Sequence, residues 1–155
     1  MADPELINEN LRFAGHLIRR LHQKSTQVFQ SRMRSAGIDV TPVQFAALDV
    51  LRSNQGVDQA SLADLVAKDR ATMGSVLDRL EQKGLVNRKV SARDKRARVL
   101  TLSEAGKALL AKARPVVADL QRDILDGLTD EEYEHFLGLA LKAALYASAD
   151  DAADG

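Results

Sequence analysis

The chain has 155 residues, a length that suits one domain with a single hydrophobic core. Hydrophobic residues make up 45% and charged residues 28% of the sequence, and this balance excludes a disordered or fibrous protein. The net charge is zero, and the absence of cysteine rules out disulfides, thiolate metal ligands and thiol-based sensing.

The composition indicates a helical protein of the cytoplasm. Only 4 Phe and 2 Tyr are present and Trp is absent, so the core must be aliphatic, which favours packed helices over a β-sandwich. No stretch reaches the roughly 18 consecutive apolar residues that a membrane helix requires. The N-terminus, Met-Ala-Asp-Pro-Glu, is acidic where a signal peptide would be basic. We therefore expect cytoplasmic localisation and no membrane partner.

Two helices are predicted in the first third of the chain. Asp3-Pro4 has the pattern of an N-cap followed by a first-turn proline, and apolar residues recur at helical spacing until Gly37. Thr41-Pro42 repeats this start signal, and Asn54 and Gly56 end the second helix. The predicted buried stripe of this second helix consists of Phe45, Leu48 and Leu51.

Two shorter helices follow, separated by a tight turn. Asp58 is the predicted N-cap of the third helix, and Asp69 is that of the fourth, which ends near Gly84. Apolar residues at helical spacing predict the buried side chains, which are Leu62, Leu65 and Val66 in the third helix and Met73, Val76, Leu77 and Leu80 in the fourth.

The pattern becomes strand-like after Gly84. Residues 85–89 and 98–102 predict two strands joined by a charged loop. Ser103 is the predicted cap of a fifth helix, and Thr129 begins a sixth, whose apolar face consists of Tyr133, Phe136, Leu137, Ala140, Leu141 and Ala144. The predicted fold class is therefore mainly α, with six helices and a small two- to three-stranded wing.

The charges are distributed unevenly along the chain. Residues 68–98 contain ten basic and four acidic side chains, a net charge of +6. From residue 119 onward two basic side chains oppose ten acidic ones, a net charge of −8. Because charge is screened within about 10 Å at moderate salt, a neutral protein with one basic segment can bind a polyanion locally.

The basic segment is predicted to fold as a winged helix-turn-helix. Its order of helix, tight turn, helix and hairpin is the winged variant of that motif. The fourth helix has an outer face of small and polar residues, which lets it enter the major groove. The cations of the hairpin are expected to lie along phosphates and to reach a minor groove. The predicted DNA-binding residues are Arg70, Thr72, Ser75 and Arg79 in the helix and Arg88, Lys89, Arg93, Asp94, Lys95, Arg96 and Arg98 in the hairpin.

Asp94 is an acid in the middle of a loop that we expect to face DNA. An unpaired carboxylate at this position would repel phosphate, so we expect it to pair with an arginine and fix the loop. Arg79 and Arg96 are the candidate partners. For Arg79, such a pair within the protein competes with a direct role in DNA binding.

Five short motifs occur in and just after this segment: Leu62-Ala63, Asp78-Arg79-Leu80-Glu81, Lys83-Gly84-Leu85-Val86, Arg93-Asp94-x-Arg96 and Leu102-Ser103-x-Ala105-Gly106. Taken as a set, they resemble the motifs of the MarR family of bacterial regulators. The long helix before the motif and the two helices after it also resemble that family. Arg70 departs from the family pattern, which often has proline or a small polar residue there, so its phosphate contact is inferred from charge alone.

The resemblance implies a dimeric repressor. Residues 1–36 and 103–147 would supply the dimerisation helices, residues 37–102 the DNA-binding lobe, and residues 148–155 a disordered tail. Such a homodimer represses transcription from a palindromic operator and is often released by a small aromatic ligand. No cofactor is expected.

The first helix offers a candidate site for that ligand. Phe13, His16 and Arg20 lie on one helical face, and with Phe45 of the second helix they would form a pocket for an aromatic acid or its thioester. The alternative is that His16 and Arg20 are surface or interface groups while the phenylalanines belong to the core. A zinc site built from the three histidines lacks close ligand spacing.

Two other functional classes have less support in the sequence. A winged-helix module that docks a protein partner and takes no effector is the alternative to DNA binding, and the net charge of +6 disfavours it. The sequence has no nucleophile elbow, phosphate-cradling glycine loop or metal-ligand cluster. We therefore expect that the protein is not an enzyme.

Overall fold

The computed structural model describes residues 12–66 and 68–146. The predicted start of the first helix at Asp3-Pro4 and the predicted disordered tail lie outside these residues. The described residues form six helices and three short strands, which confirms the predicted class. In chain order the elements are α1 (Ala14–Ser35), α2 (Pro42–Ser53), β1 (Val57–Asp58), α3 (Gln59–Val66), α4 (Arg70–Gln82), β2 (Val86–Val90), β3 (Arg98–Leu102), α5 (Glu104–Ile124) and α6 (Asp130–Leu145).

Polar side chains cap the helices at the positions that the sequence predicts. Thr41 accepts a hydrogen bond from the Gln44 N–H at 3.2 Å, and the Gln44 side chain accepts one from the Thr41 N–H at 3.1 Å. Asp58 accepts from the backbone and hydroxyl of Ser61 before α3, and these bonds lower the pKa of Asp58. Thr129 caps α6 in the same way. Each cap stabilises its helix by about 1 kcal/mol.

The three strands form one antiparallel sheet in the order β1-β3-β2. In the hairpin, Arg88 lies opposite Leu100 and Lys89 opposite Val99. The two-residue strand β1 joins the other edge of β3, where Val57 lies opposite Leu100. Gly56 precedes β1 with a φ of 84° and donates to the Leu100 carbonyl at 2.8 Å.

The chain divides into two compact units, Met1–Leu120 and Gln121–Gly155. In the first unit the helix-turn-helix packs on the sheet, and all four apolar residues predicted for α4 are buried. Leu65 of α3, predicted to be buried, is 55% exposed, because this short helix turns Leu62 and Ala63 inward. The buried apolar residues are Phe29, Met33, Ile38, Val40, Ala47, Leu48, Leu51, Leu62, Ala63, Met73, Val76, Leu77, Leu80, Leu85, Val86, Leu100, Leu102, Leu110, Ala113 and Leu120.

The C-terminal end of α4 is anchored to the loop before α2. The Lys83 ammonium donates to the Asp39 carbonyl at 2.7 Å and to the Gln44 side chain at 3.3 Å, and it pairs with the Asp39 carboxylate at 3.4 Å. Gln44 is buried, and both Lys83 and Thr41 donate to its side-chain oxygen. The position of α4 is thereby tied to that of α2.

The second unit contains α6, on which none of the described residues is buried. Four leucines of this helix are more than 40% exposed, namely Leu137, Leu139, Leu141 and Leu145. None of the helices in the described part of the chain is long and apolar enough to cross a membrane.

Candidate nucleic-acid interface

The outer face of α4 is exposed along its length, as a helix that enters a groove requires. Ala71, Thr72, Ser75 and Arg79 are all exposed, and Gly74 approaches α3 so closely that an added Cβ would lie 3.3 Å from the Gln59 side chain. The inner face, by contrast, belongs to the core. We refer to α4 below as the recognition helix.

The hydroxyl of Thr72 is already engaged at the start of the recognition helix. It donates to one oxygen of Asp69 at 2.6 Å, and the Thr72 N–H donates to the other at 2.8 Å. Because phosphate oxygens only accept hydrogen bonds, this hydroxyl would have to leave the cap to bind a phosphate. In its present geometry it can accept a bond from a base amino group.

This cap is expected to weaken in acid. The Thr72 hydroxyl and, secondly, its backbone N–H lower the pKa of Asp69 below its ordinary value of 3.8. Because the folded pKa lies below the unfolded one, the stabilisation is fully present above pH 3.8 and is lost as pH falls through the folded pKa. An NMR titration of the Asp69 carboxyl should give a midpoint below 3.8. Asp69→Asn keeps a capping oxygen without the titration, and a wild-type midpoint at or above 3.8 would contradict the assignment.

The tip of the wing, residues 91–97, is ordered by its own polar groups. The Ser91 hydroxyl accepts from the N–H groups of Arg93 at 3.2 Å and Asp94 at 3.3 Å, and the Asp94 carboxylate accepts from the Arg96 N–H at 3.0 Å. Asp94 therefore fixes the loop, but it does so through a backbone N–H and not through the guanidinium pairing that we predicted with Arg79 or Arg96. The side chains of Arg93, Lys95 and Arg96 are exposed.

A cleft brings cations of the wing together with the start of the recognition helix. Arg96 and Arg98 line it from the wing and Arg70 from the helix, with Asp58 and Asp94 also in its wall. Its volume is about 480 Å³. Three guanidinium groups around one open cleft offer planar donors for phosphate oxygens. Arg70, which was predicted to bind DNA from the helix, therefore lines the same cleft as Arg96 and Arg98, which were predicted to bind DNA from the hairpin.

Arg88 is the predicted DNA contact whose position differs most from the expectation. It lies on the same face of β2 as the buried Val86, and its side chain is 18% exposed. Its guanidinium donates to Asp78, to Glu81 at 3.2 Å and to the Gln59 side chain at 3.2 Å. Bonds to Asp78 and Glu81 raise the pKa of Arg88. Nothing in the sequence pattern indicates Gln59, which anchors this guanidinium from α3.

Lys89 is oriented differently from Arg88. Successive residues of a strand face opposite sides, so Lys89 lies on the other face of β2, where it is exposed. Net charge along the sequence does not distinguish these two residues. The alternation of faces does distinguish them once the register is known.

The residues predicted to bind a small ligand are not brought together in one subunit. Phe45 packs against Phe29, with ring centroids 6.2 Å apart and ring planes tilted by 58°. Phe13 precedes Phe29 by 16 residues, a distance of about 24 Å along a helix, so Phe45 does not share a pocket with it. Phe13 is 68% exposed, His16 is half-buried and Arg20 is exposed. Phe13, His16 and Arg20 remain the predicted residues of a ligand site.

Comparison with known proteins places the chain in a family. The model of the MarR family matches residues 40–97. The transcriptional regulator HosA of Escherichia coli is 33% identical over 129 residues, which cover 83% of this chain and 93% of HosA. The chain belongs to the MarR family. Like HosA, this MarR-family protein is a transcriptional regulator and not an enzyme.

Solved structures of related regulators share the fold over nearly the whole chain. BpsR of Bordetella bronchiseptica, whose DNA binding is regulated by 6-hydroxynicotinic acid, matches with a TM-score of 0.82 and 25% identity, over 90% of this chain and 99% of BpsR. The transcriptional repressor CouR, bound to a 23-mer DNA duplex, matches with a TM-score of 0.78 and 28% identity, over 90% of this chain and 97% of CouR. The predicted winged helix-turn-helix of a MarR-family regulator is confirmed.

Proposed function

We propose that this MarR-family regulator is a repressor that binds a palindromic operator as a homodimer. The observation that carries the proposal is the cleft that is lined by Arg70 of the recognition helix and by Arg96 and Arg98 of the wing. With the exposed side chains of Arg93 and Lys95, this arrangement lets the helix read bases while the wing holds phosphates. The DNA-bound repressor CouR supports this assignment by its similarity.

The terminal helices are the proposed dimer interface. Leu17 and Ile18 of α1 are 44% and 65% exposed, and Leu141 and Leu145 of α6 are 61% and 74% exposed. Large apolar side chains at this exposure are typical of a surface that pairs with a second copy. We assign residues 1–36 and 103–147 to dimerisation and residues 37–102 to DNA binding.

The proposed effector is a small aromatic acid or its thioester. BpsR, which is regulated by 6-hydroxynicotinic acid, supports an aromatic acid by its similarity. Phe13 offers a ring surface at the start of the first helix, and His16 and Arg20 offer N–H donors for a carboxylate. An effector that binds beside the first helix would change the spacing of the two recognition helices in the dimer. This change would weaken binding, because a dimer must engage both half-sites together.

The proposal is tested by selecting DNA from a random duplex library and then adding candidate effectors. The protein should enrich a palindromic sequence, and its affinity should fall steeply with salt, as expected for several phosphate contacts. An aromatic acid that acts as effector should raise the Tm of the free protein and weaken operator binding by about 5- to 150-fold. If aromatic acids and their thioesters change neither quantity, the sensing part of the proposal is wrong.

A further inference from the structure

Arg88 joins three elements of the DNA-binding lobe through a single side chain. It lies on β2, and its three acceptors lie on α3 (Gln59) and on the recognition helix (Asp78 and Glu81). Arg88 pairs with Leu100 of β3, and the side chains of such a pair lie on the same face of the sheet. Because Leu100 is completely buried, Arg88 lies on the face that the helices cover. Three of the five N–H donors of this guanidinium are therefore engaged within the protein, and only 18% of the side chain is exposed.

The two carboxylates that Arg88 holds lie on the helix that would enter the major groove. Asp78 and Glu81 are three residues apart, so they lie one turn apart on one face, and their side chains are 61% and 47% exposed. If the recognition helix lies in the groove, unpaired carboxylates on it would repel phosphates within a Debye length of about 10 Å. The planar guanidinium compensates part of this charge and also fixes the direction of both side chains.

We propose that Arg88 is a positioning residue for sequence recognition, which sets the angle of the recognition helix against the wing and α3 and does not contact DNA. This inference rests on the proposed function. Reading of base edges depends on the angle of the helix, whereas non-specific binding depends mainly on phosphate contacts. Loss of the anchor therefore weakens the specific complex and spares the non-specific one.

Removal of the two acids separates this role from a phosphate contact by the sign of the effect. Asp78→Ala/Glu81→Ala makes each subunit more positive by two charges and leaves Arg88 in place. If Arg88 is a restrained phosphate contact, the variant releases it and binds every duplex more tightly. If Arg88 positions the helix, binding to the selected duplex falls while binding to unrelated DNA rises.

The experiment measures fluorescence anisotropy on two duplexes. One is enriched from a random library by the unmodified protein, and the other is a shuffled sequence of the same composition. We expect the ratio of specific to non-specific affinity to fall by about tenfold or more in the double variant. Arg88→Lys keeps the charge, but an ammonium cannot hold three acceptors in this geometry, so the same loss is expected. Circular dichroism confirms that each variant is folded.

The matched control is Asp64→Ala/Glu104→Ala, which changes the net charge equally at exposed positions of α3 and α5. Its two affinities should move in the same direction and keep their ratio. A uniform rise in both affinities for the Asp78/Glu81 variant, or an unchanged ratio for Arg88→Lys, would overturn this inference and leave the proposed function intact. If the unmodified protein enriches no sequence, the proposed function is wrong and this inference falls with it.

Discussion

Replacement of both Arg93 and Arg96 by glutamate is expected to abolish operator binding at moderate salt while the protein stays folded. Both side chains are exposed on the tip of the wing, where no core packing depends on them. Each phosphate contact contributes about −0.9 to the slope of log K against log salt, so removing all four in a dimer reduces the magnitude of the slope by about 3.6. This slope corresponds to a fall in affinity of more than about 1000-fold at 0.1 M salt, before the added repulsion is counted.

The measurement is a salt titration of binding to the selected duplex by fluorescence anisotropy. A control that reverses charge at Lys107 and Lys112, two exposed residues of α5, should weaken binding far less. Unchanged affinity and salt slope in the Arg93/Arg96 variant would remove the wing from the DNA interface. The winged helix would then be better explained as a module that docks a protein partner.

Gly106→Ala is expected to destabilise the fold by about 3 kcal/mol or more. A Cβ at this position would lie 2.1 Å from the carbonyl oxygen of Leu85 and 3.0 Å from its carbonyl carbon, and backbone atoms cannot rotate away. The same junction holds hydrogen bonds from the Ser103 N–H to Leu85 at 3.0 Å and from the Ser103 hydroxyl to Gly84 at 2.5 Å. Overpacking costs about 1–3 kcal/mol, and breaking a hydrogen bond costs about 0.5–1.5 kcal/mol.

Thermal unfolding followed by circular dichroism tests this prediction. At about 2–4 °C per kcal/mol for a chain of this size, the Tm should fall by about 10 °C. Gly15→Ala is the matched control, because a Cβ there meets nothing nearer than the flexible end of Arg19 at 3.9 Å. A Gly106→Ala protein that melts within a degree or two of the wild type would show that α5 and β2 are not locked together at this point.

The features that the sequence predicted well depend on neighbours within a few residues. Thr41, Asp69 and Thr129 cap their helices because the N–H that each one accepts lies three residues ahead. The buried stripe of the recognition helix follows from a period of 3.6 residues and is fully buried as predicted. The strands of the hairpin likewise lie within a residue or two of their predicted limits.

The features that the sequence did not predict depend on residues distant in the chain. Arg88 was grouped with the wing cations because its charge is visible in the sequence, whereas the face it occupies depends on strand register. The Gly106 contact with the Leu85 backbone leaves no local pattern either. Helical spacing placed Phe13 and His16 on one face but did not indicate that Phe29 is the residue that meets the second helix.

In the proposed complex, two subunits present their recognition helices to adjacent turns of one duplex. Hydroxyl-radical footprinting on the selected DNA, with the mass of the complex determined by sedimentation, reports both the spacing of the contacts and the number of bound chains. We expect two protected stretches about 10 base pairs apart and two chains on each duplex. One protected stretch with a single bound chain, or equal protection of random DNA, would rule out this arrangement of two subunits on an operator.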